Sequence, residues 1–508
     1  MPGEPFQRSL LLSLIGRMLN QLPPGSVALL RPLPSDFDPR RDDVDLLMSE
    51  TTRAELLNLL ATHLGRTERS ELRHPSDCRA VVPNAHERVG QSFCIGAQEC
   101  YPEPFHFRVS QVRREKIRLT LWDLHCESSL QIDLWSEFRQ FPNQRSVSIP
   151  AEALLALGPA YGSAAVKVLR PDVHFCLLVL HLASKRKSLS SAVTRERLTD
   201  AFERLKAWAI DGTHDMSPLL TLAESMLNAT TLAQTVVTAA ETYLLAQVTS
   251  SSPSLAHRIS RVLDNTRGEL RRWWMKQVPC IAIDGSDGAG KTTLIRSLCR
   301  STDEPMKPVV AKKLYRQSWV YQIVHSTLRY LTGRDRCAVD DQLAAFTTVR
   351  AAMRLWCAFA WTLIRDRFAR RRTLLLDRSV GSFLIRNRKG QSLAMTPMWS
   401  FISRFVPPMT TVLLTVPWSV LQTRKQEMSQ SSHEAYQSWL WLLVTRHRPF
   451  DVIVFDNTLP SHSAADGLLT MLGLATTSPD GLRRSASVNC ESSDPEQEGR
   501  PSQQEVAA

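Results

Sequence analysis

The sequence predicts an α/β protein: a parallel sheet covered by helices on both faces, preceded by an α+β half and a helical connector. Three observations carry this expectation. Apolar runs near Cys280, Thr373, Thr410 and Asp451 alternate with helical patterns, the spacing of parallel strands joined by crossover helices. The first of these runs passes through a glycine-rich turn, Gly285 to Gly290, directly into a helical pattern at Lys291. Upstream, residues 67–135 instead alternate short apolar runs with turns. A chain of 508 residues is too long for one core. The expected division is 1–185, a helical connector 186–276, the parallel-sheet unit 277–473 and a disordered tail 474–508.

Composition excludes several classes. A hydrophobic share of 43% is that of a globular chain, and no uninterrupted apolar stretch is long enough to span a bilayer. Leu10 to Gly16 is short and reads as part of an amphipathic helix, not a signal peptide. Ten cysteines, none in C-x-x-C pairs, predict free thiols in a reducing cytosol, hence a cytoplasmic protein. The net charge of +12 is diffuse, densest over Arg365, Arg367, Arg370, Arg371 and Arg372. It suits an anionic substrate or a nucleic acid, and being diffuse it selects neither. No basic tract interleaved with aromatics gives a strong nucleic-acid signal.

In chain order, residues 5–22 read as a helix and Ser26–Leu30 as a strand after Pro23-Pro24-Gly25. In Asp43-Val44-Asp45 the strand period of two puts both carboxylates on one face, with Val44 and Leu46 on the other. Paired carboxylates are what a divalent metal carrying a triphosphate needs, and Asp133, on the run Leu130–Trp135, is a candidate third. The plainer alternative is acidic residues at strand ends in solvent, and spacing favours neither. A helix over 52–64 has Thr51 or Thr52 as its cap, and another spans 171–182. His174 and His181 lie seven apart on it with no third ligand nearby, so they read as packing or surface residues. Helices over 191–210 and 217–247, a Ser/Thr loop at 249–254 and a basic amphipathic helix over 255–276 complete the connector.

The run Cys280–Asp284 opens the second half as a buried strand. From Gly285 to Thr292 every position of the pattern G-x-x-x-x-G-K-[ST] is met. Glycines let successive backbone N–H groups turn inward on a phosphate, and the helix that follows adds its partial positive charge. Gly285, Ser286, Asp287, Gly288, Ala289, Gly290, Lys291, Thr292 and Thr293 are therefore the expected binders of ATP. Lys291 reaches the terminal phosphates and Thr292 ligates Mg²⁺. A short strand at Val309–Ala311 and helices over 316–332 and 339–369 follow. The strand Thr373–Asp377 then delivers Asp377 and Arg378 to the carboxyl end of the sheet, where open α/β sheets put functional groups. Asp377 there can hold Mg²⁺ through water, and Arg378 can grip a second phosphate with two parallel bonds. The strand Thr410–Val416, a helix from Trp418 to Glu427 and the strand Asp451–Asp456 complete the sheet.

Two resemblances add to this reading. Asp284-Gly285-x-Asp287-Gly288-Ala289-Gly290-Lys291-Thr292-Thr293, the pair Asp377-Arg378, and Leu414–Pro417 leading to Arg424-Lys425 resemble, in order, the landmarks of the thymidylate kinase family, which are P-loop NTPases. The resemblance implies that Lys291 stabilises the transferring phosphoryl, Arg378 clamps the acceptor phosphate and Arg424 closes over the developing charge. Ser379 stands where that family has an aromatic residue, and the lid region 425–436 is polar with few arginines. Residues 25–185 resemble the nucleotidyltransferase domain of bacterial thymidylate-kinase-like fusion proteins, through Asp43, Asp45 and Asp133. Leu30-Arg31-Pro32 replaces that superfamily's Gly-Ser turn, and a proline has no N–H to offer a phosphate, which implies a degenerate domain. The expected activity is transfer of the γ-phosphoryl group of ATP to a nucleoside monophosphate or another small phosphorylated acceptor, in a chain that can pair with a second copy. A P-loop ATPase or switch acting on partner proteins, and a nucleotidyltransferase using the N-terminal half, are the competing expectations.

Overall fold

The computed structural model describes residues 11, 14–30, 44–66, 105–111, 115–126, 129–143, 147–157, 166–185, 189–211, 217–227, 229–248, 280–302, 304–310, 319–333, 373–378, 409–424 and 451–474, and parts of 263–275 and 429–437. Asp43, the helix expected over 339–369, the arginine cluster at 365–372 and the tail from 475 lie outside the described residues.

Eleven strands form one sheet. From the N-terminal half come β1 (Val27–Leu29), β2 (Val44–Met48), β3 (Phe105–Gln111), β4 (Lys116–Asp123) and β5 (Ser129–Trp135). A small hairpin, β6 (Glu137–Phe138) and β7 (Ile149–Pro150), stands apart, and β8 (Lys167–Val168) returns to the sheet. The C-terminal half adds β9 (Cys280–Asp284), β10 (Met306–Val310), β11 (Thr373–Asp377), β12 (Thr410–Thr415) and β13 (Asp451–Asp456). Their order is β10-β11-β9-β12-β13-β3-β4-β5-β2-β1-β8. The five C-terminal strands are mutually parallel. The join is antiparallel, with Asp451 opposite Ser110 and Val454 opposite Phe107. The molecule is thus an α/β arrangement on one mostly parallel sheet with helices on both faces, and the two halves share that sheet edge to edge.

Side-chain alternation explains the covering. One face carries a single apolar cluster that runs through the join: Leu46, Phe107, Leu119 and Ile132 share it with Leu413, Val452 and Val454. Helical residues Leu14, Ile15, Leu56 and Leu60 cover it. The opposite face carries two clusters. One gathers Leu47 and Trp135 under the connector helices, and the other packs Ile283, Leu375, Leu414 and Phe455 under the helices Lys291–Ser301 and Ser461–Leu472.

Between these two clusters the join is polar. Arg108 Nε and Nη2 donate to the two oxygens of Asp451 at 2.7 and 2.6 Å, Ser110 Oγ and Thr410 Oγ1 each donate to the same carboxylate at 2.8 Å, and Arg108 Nη1 donates to Met471 O at 2.7 Å. Burial pulls the Arg108 guanidinium down, but the bonds and charge of Asp451 more than offset this and hold it above its ordinary value. One residue pair away, the fully buried His106 ring lies flat on Phe455, centroids 4.2 Å apart. Its Nδ1 accepts the Asp456 N–H at 3.0 Å, so Nε2 carries the proton and donates to Leu124 O at 3.0 Å.

Burial lowers the pKa of His106 from 6.5 to about 4. Neutral in the fold and free to charge in the unfolded chain, it favours unfolding as acid is added. The loss begins near pH 6.5 and is complete below about 4. The expected loss from this residue is roughly 3 kcal/mol. Urea-unfolding free energies between pH 7 and 4 should fall more steeply for the native chain than for His106→Asn. Equal slopes would assign the acid sensitivity elsewhere.

Helix boundaries differ from expectation at two places. Ser49, not Thr51 or Thr52, caps the first long helix Glu50–Arg66: its Oγ accepts the Thr52 N–H at 2.9 Å. The helix expected over 217–247 is two, Ser217–Leu227 and Gln234–Gln247, interrupted where Asn228, Thr230 and Thr231 cluster. Such side chains compete for backbone hydrogen bonds and weaken a helix interior. The C-terminal helix from Trp418 is described to Arg424. Among the described residues no helix is long and apolar enough to cross a membrane.

Candidate functional site

Strand β9 lies between β11 and β12, and the chain leaves it in opposite lateral directions: β10 and β11 fall on one side, β12 and β13 on the other. That reversal opens a crevice at the carboxyl ends of the strands, the place where such sheets hold ligands. The loop 285–290 fills it. Gly285 is packed so closely that an added Cβ would stand 3.0 Å from Leu414 Cβ, and Ala289 Cβ would be 3.2 Å away. Gly290 has φ +85°, in the left-handed region, and an added Cβ would stand 2.7 Å from Asn457 Nδ2. A side chain at Gly285 would crowd Leu414, and one at Gly290 would be strained by the positive φ and meet the Asn457 amide.

Lys291 turns back into the curl. Its Nζ donates to Gly285 O at 2.9 Å and Ser286 O at 2.8 Å, and lies 3.8 Å from Asp287 Oδ1. A charged group buried to 7% exposure is tolerated here because carbonyl oxygens take the place of water. The helix Lys291–Ser301 has Gly290 at its N-cap and no side-chain cap hydrogen bond. Its first N–H groups and its dipole therefore face the mouth of the loop. Thr292 and Thr293 are exposed at that mouth.

Three further elements converge on the loop. From β11, Arg378 reaches across: its Nη2 donates to Asp287 Oδ1, and its Nη1 donates to Tyr436 Oη at 3.3 Å. Its backbone has φ 85°, unfavourable for a side chain larger than glycine, so the guanidinium's direction is bought with local strain. Asp287 thus bridges Lys291 and Arg378. Asp377 ends β11 with Oδ1 buried and lacking a hydrogen-bond partner among the described residues. Asn457, just past β13, donates Nδ2 to Ala289 O at 2.7 Å and accepts Arg424 Nη2 on its carbonyl at 2.9 Å. Arg424 is in this way held beside Gly290. The segment 429–437 supplies His433, whose Nδ1 is 3.1 Å from the buried Ser286 Oγ and whose ring packs near Trp418. Burial lowers the His433 pKa, against the opposing influence of a backbone hydrogen bond at Val416 and the charge of Glu434.

Asn457, His433 and Tyr436 were not singled out by the sequence. The spacing of His433, Tyr436 and Gln437 at i, i+3 and i+4 marks one helix face and was a usable signal. Asn457 had none, because its role arises only when β13 is set beside β12.

The N-terminal carboxylates are arranged otherwise. Asp45 and Asp133 are register partners on β2 and β5 and point to the same face. Asp133 is buried and ion-paired with both Lys116 and Arg118, the latter at 3.1 Å. Asp45 accepts Trp135 Nε1 at 3.0 Å. Among the described residues no group of three or more His, Cys, Asp or Glu side chains is placed to hold a metal ion. Comparison of the chain with protein-family models gives no match, and comparison with curated proteins gives none either.

Proposed function

We propose that the chain is an ATP-dependent, Mg²⁺-dependent phosphotransferase of thymidylate-kinase-like type. Its P-loop NTPase unit in the C-terminal half moves the γ-phosphoryl group to a nucleoside monophosphate or another small phosphorylated acceptor. One observation carries the reading: a glycine-rich loop at the sheet's switch point, with a buried lysine ammonium inside its curl and an uncapped helix N-terminus behind it. This is a concave set of donors for a polyphosphate. The Lys291 bonds to loop carbonyls keep the cation in place until phosphate oxygens take them over.

The residues present fit the metal. Mg²⁺ is ordinarily held by one or two protein groups plus phosphates and water, so no preformed carboxylate cage is required. Thr292 and Asp377, whose buried Oδ1 has no hydrogen-bond partner among the described residues, would hold it. When bound, the ion would neutralise charge on the phosphates. Arg378 would exchange Asp287 for the acceptor phosphate, and Arg424, already beside the loop, would offset charge developing on the transferred group. The N-terminal half is read as a degenerate nucleotidyltransferase-like unit: Leu30-Arg31-Pro32 replaces the Gly-Ser turn, and Asp133 is paired with Lys116 and Arg118.

The test is a panel of nucleoside monophosphates and sugar phosphates with γ-labelled ATP, following the label. A second reading, a P-loop ATPase or switch, is favoured by the engagement of Arg378 with Asp287 and Tyr436. Arg378→Lys separates the two. Lys cannot reproduce a planar two-bond grip, so a kinase should lose about 10- to 100-fold in acceptor efficiency, with ATP binding nearly intact. An ATPase should show no acceptor stimulation in either protein, and its hydrolysis should survive the substitution.

A further inference from the structure

The join between the halves ends at the loop. His106 on β3 holds two successive residues at β13's exit: its ring covers Phe455 and its Nδ1 fixes the Asp456 N–H, and Asn457 follows directly. Asn457 is then pinned on both sides, by its N–H to Thr415 O at 3.0 Å and by Nδ2 to Ala289 O at 2.7 Å. Its Nδ2 occupies the space that a side chain at Gly290 would need, 2.7 Å from where a Cβ would stand. The Asp456 carboxylate closes the turn by accepting the Thr458 N–H at 3.0 Å. Asp456, which His106 holds, and Asn457, which holds the loop, are joined by one peptide bond.

We propose that His106 is a positioning residue: the N-terminal half braces the exit of β13 and thereby sets how tightly the loop binds a nucleoside triphosphate. The N-terminal half then has a mechanical task, holding Asn457 where it supports Ala289. The coupling is reciprocal, so a nucleotide in the loop tightens the β3–β13 join. The inference rests on the nucleotide reading of the loop.

Two substitutions in the full chain separate the ring's two nitrogens. His106→Asn keeps an acceptor where Nδ1 stands, and His106→Gln puts its amide at the place of Nε2 and leaves the Asp456 N–H unpaired. Calorimetric titration with ATP and Mg²⁺, each protein held the same interval below its own Tm, should give His106→Gln a Kd about five- to tenfold above native, the scale of one lost hydrogen bond. His106→Asn should stay within about twofold of native, a rescue that a purely structural role does not predict. Amide exchange in the native chain gives a second reading without any variant. Saturating ATP should slow exchange at Asp456 and along 105–108. Equal Kd values for Gln and native, or exchange at the join unmoved by ATP, overturn the brace while leaving nucleotide binding intact. No ATP binding by the native chain overturns both readings together.

Discussion

Lys291→Ala is expected to lower ATP turnover by about 10²-fold or more, roughly 3 kcal/mol of lost transition-state stabilisation. The reason is geometric. Lys291 is the cation inside the curl, bonded to Gly285 O and Ser286 O, and its neighbour Arg378 is held on the far side of Asp287. Arg424 approaches only the outer side at Gly290 and is tied to Asn457 O. Neither can swing into the vacated position without breaking its own contacts. Removing the ammonium also strips Gly285 O and Ser286 O of their donor. The expected Tm change is therefore small and of either sign, and the comparison is steady-state turnover at matched folded fraction. Undiminished turnover in a folded Lys291→Ala protein would remove the loop from the chemistry.

Asp451→Ala carries the largest expected effect on stability. The carboxylate accepts from Arg108, Ser110 and Thr410 across the join and is 3% exposed. Its loss leaves a guanidinium and two hydroxyls facing a vacancy in the sheet. Breaking a buried pair from one side costs about 3–5 kcal/mol. Arg108 retains some contact with water, which points to about 3 kcal/mol. Asp451→Asn keeps one acceptor oxygen for this set and should lose about half as much. Urea midpoints with unchanged slopes would report this as stability alone. A loss under ~1 kcal/mol for Asp451→Ala would mean that apolar packing on the two faces, not the polar set, holds the halves together.

These two residues mark the boundary of what the sequence could tell. Lys291 was legible because its meaning is local. A buried strand, a glycine pattern and a helix start lie within one stretch, and the backbone geometry they impose does not depend on distant partners. The same holds for β9, β11, β12 and β13, whose continuous apolar runs reflect burial on both faces. Arg378 was visible as a residue at a strand end, but its partner was not, since Asp287 is met only when β11 pairs beside β9.

What the sequence by itself determined is therefore the set of elements whose signals are periodic and local: β1, β2, β4, β5, β9, β11, β12 and β13, most helices, and the loop from Gly285 to Lys291. Tertiary structure alone decided that β3 adds to the edge of β13, joining two expected domains in one sheet. The alternation Phe105-His106-Phe107-Arg108-Val109 announces a strand, but a strand's period does not name its neighbour. His106 takes its role only from Phe455 and Asp456 lying against it. Asp133 was one candidate carboxylate on spacing alone, and only the pairing of β4 with β5 showed that Lys116 and Arg118 share its face. The physical reason is the same in each case: a charge or an imidazole takes its character from groups a few ångströms away, and those groups are far along the chain.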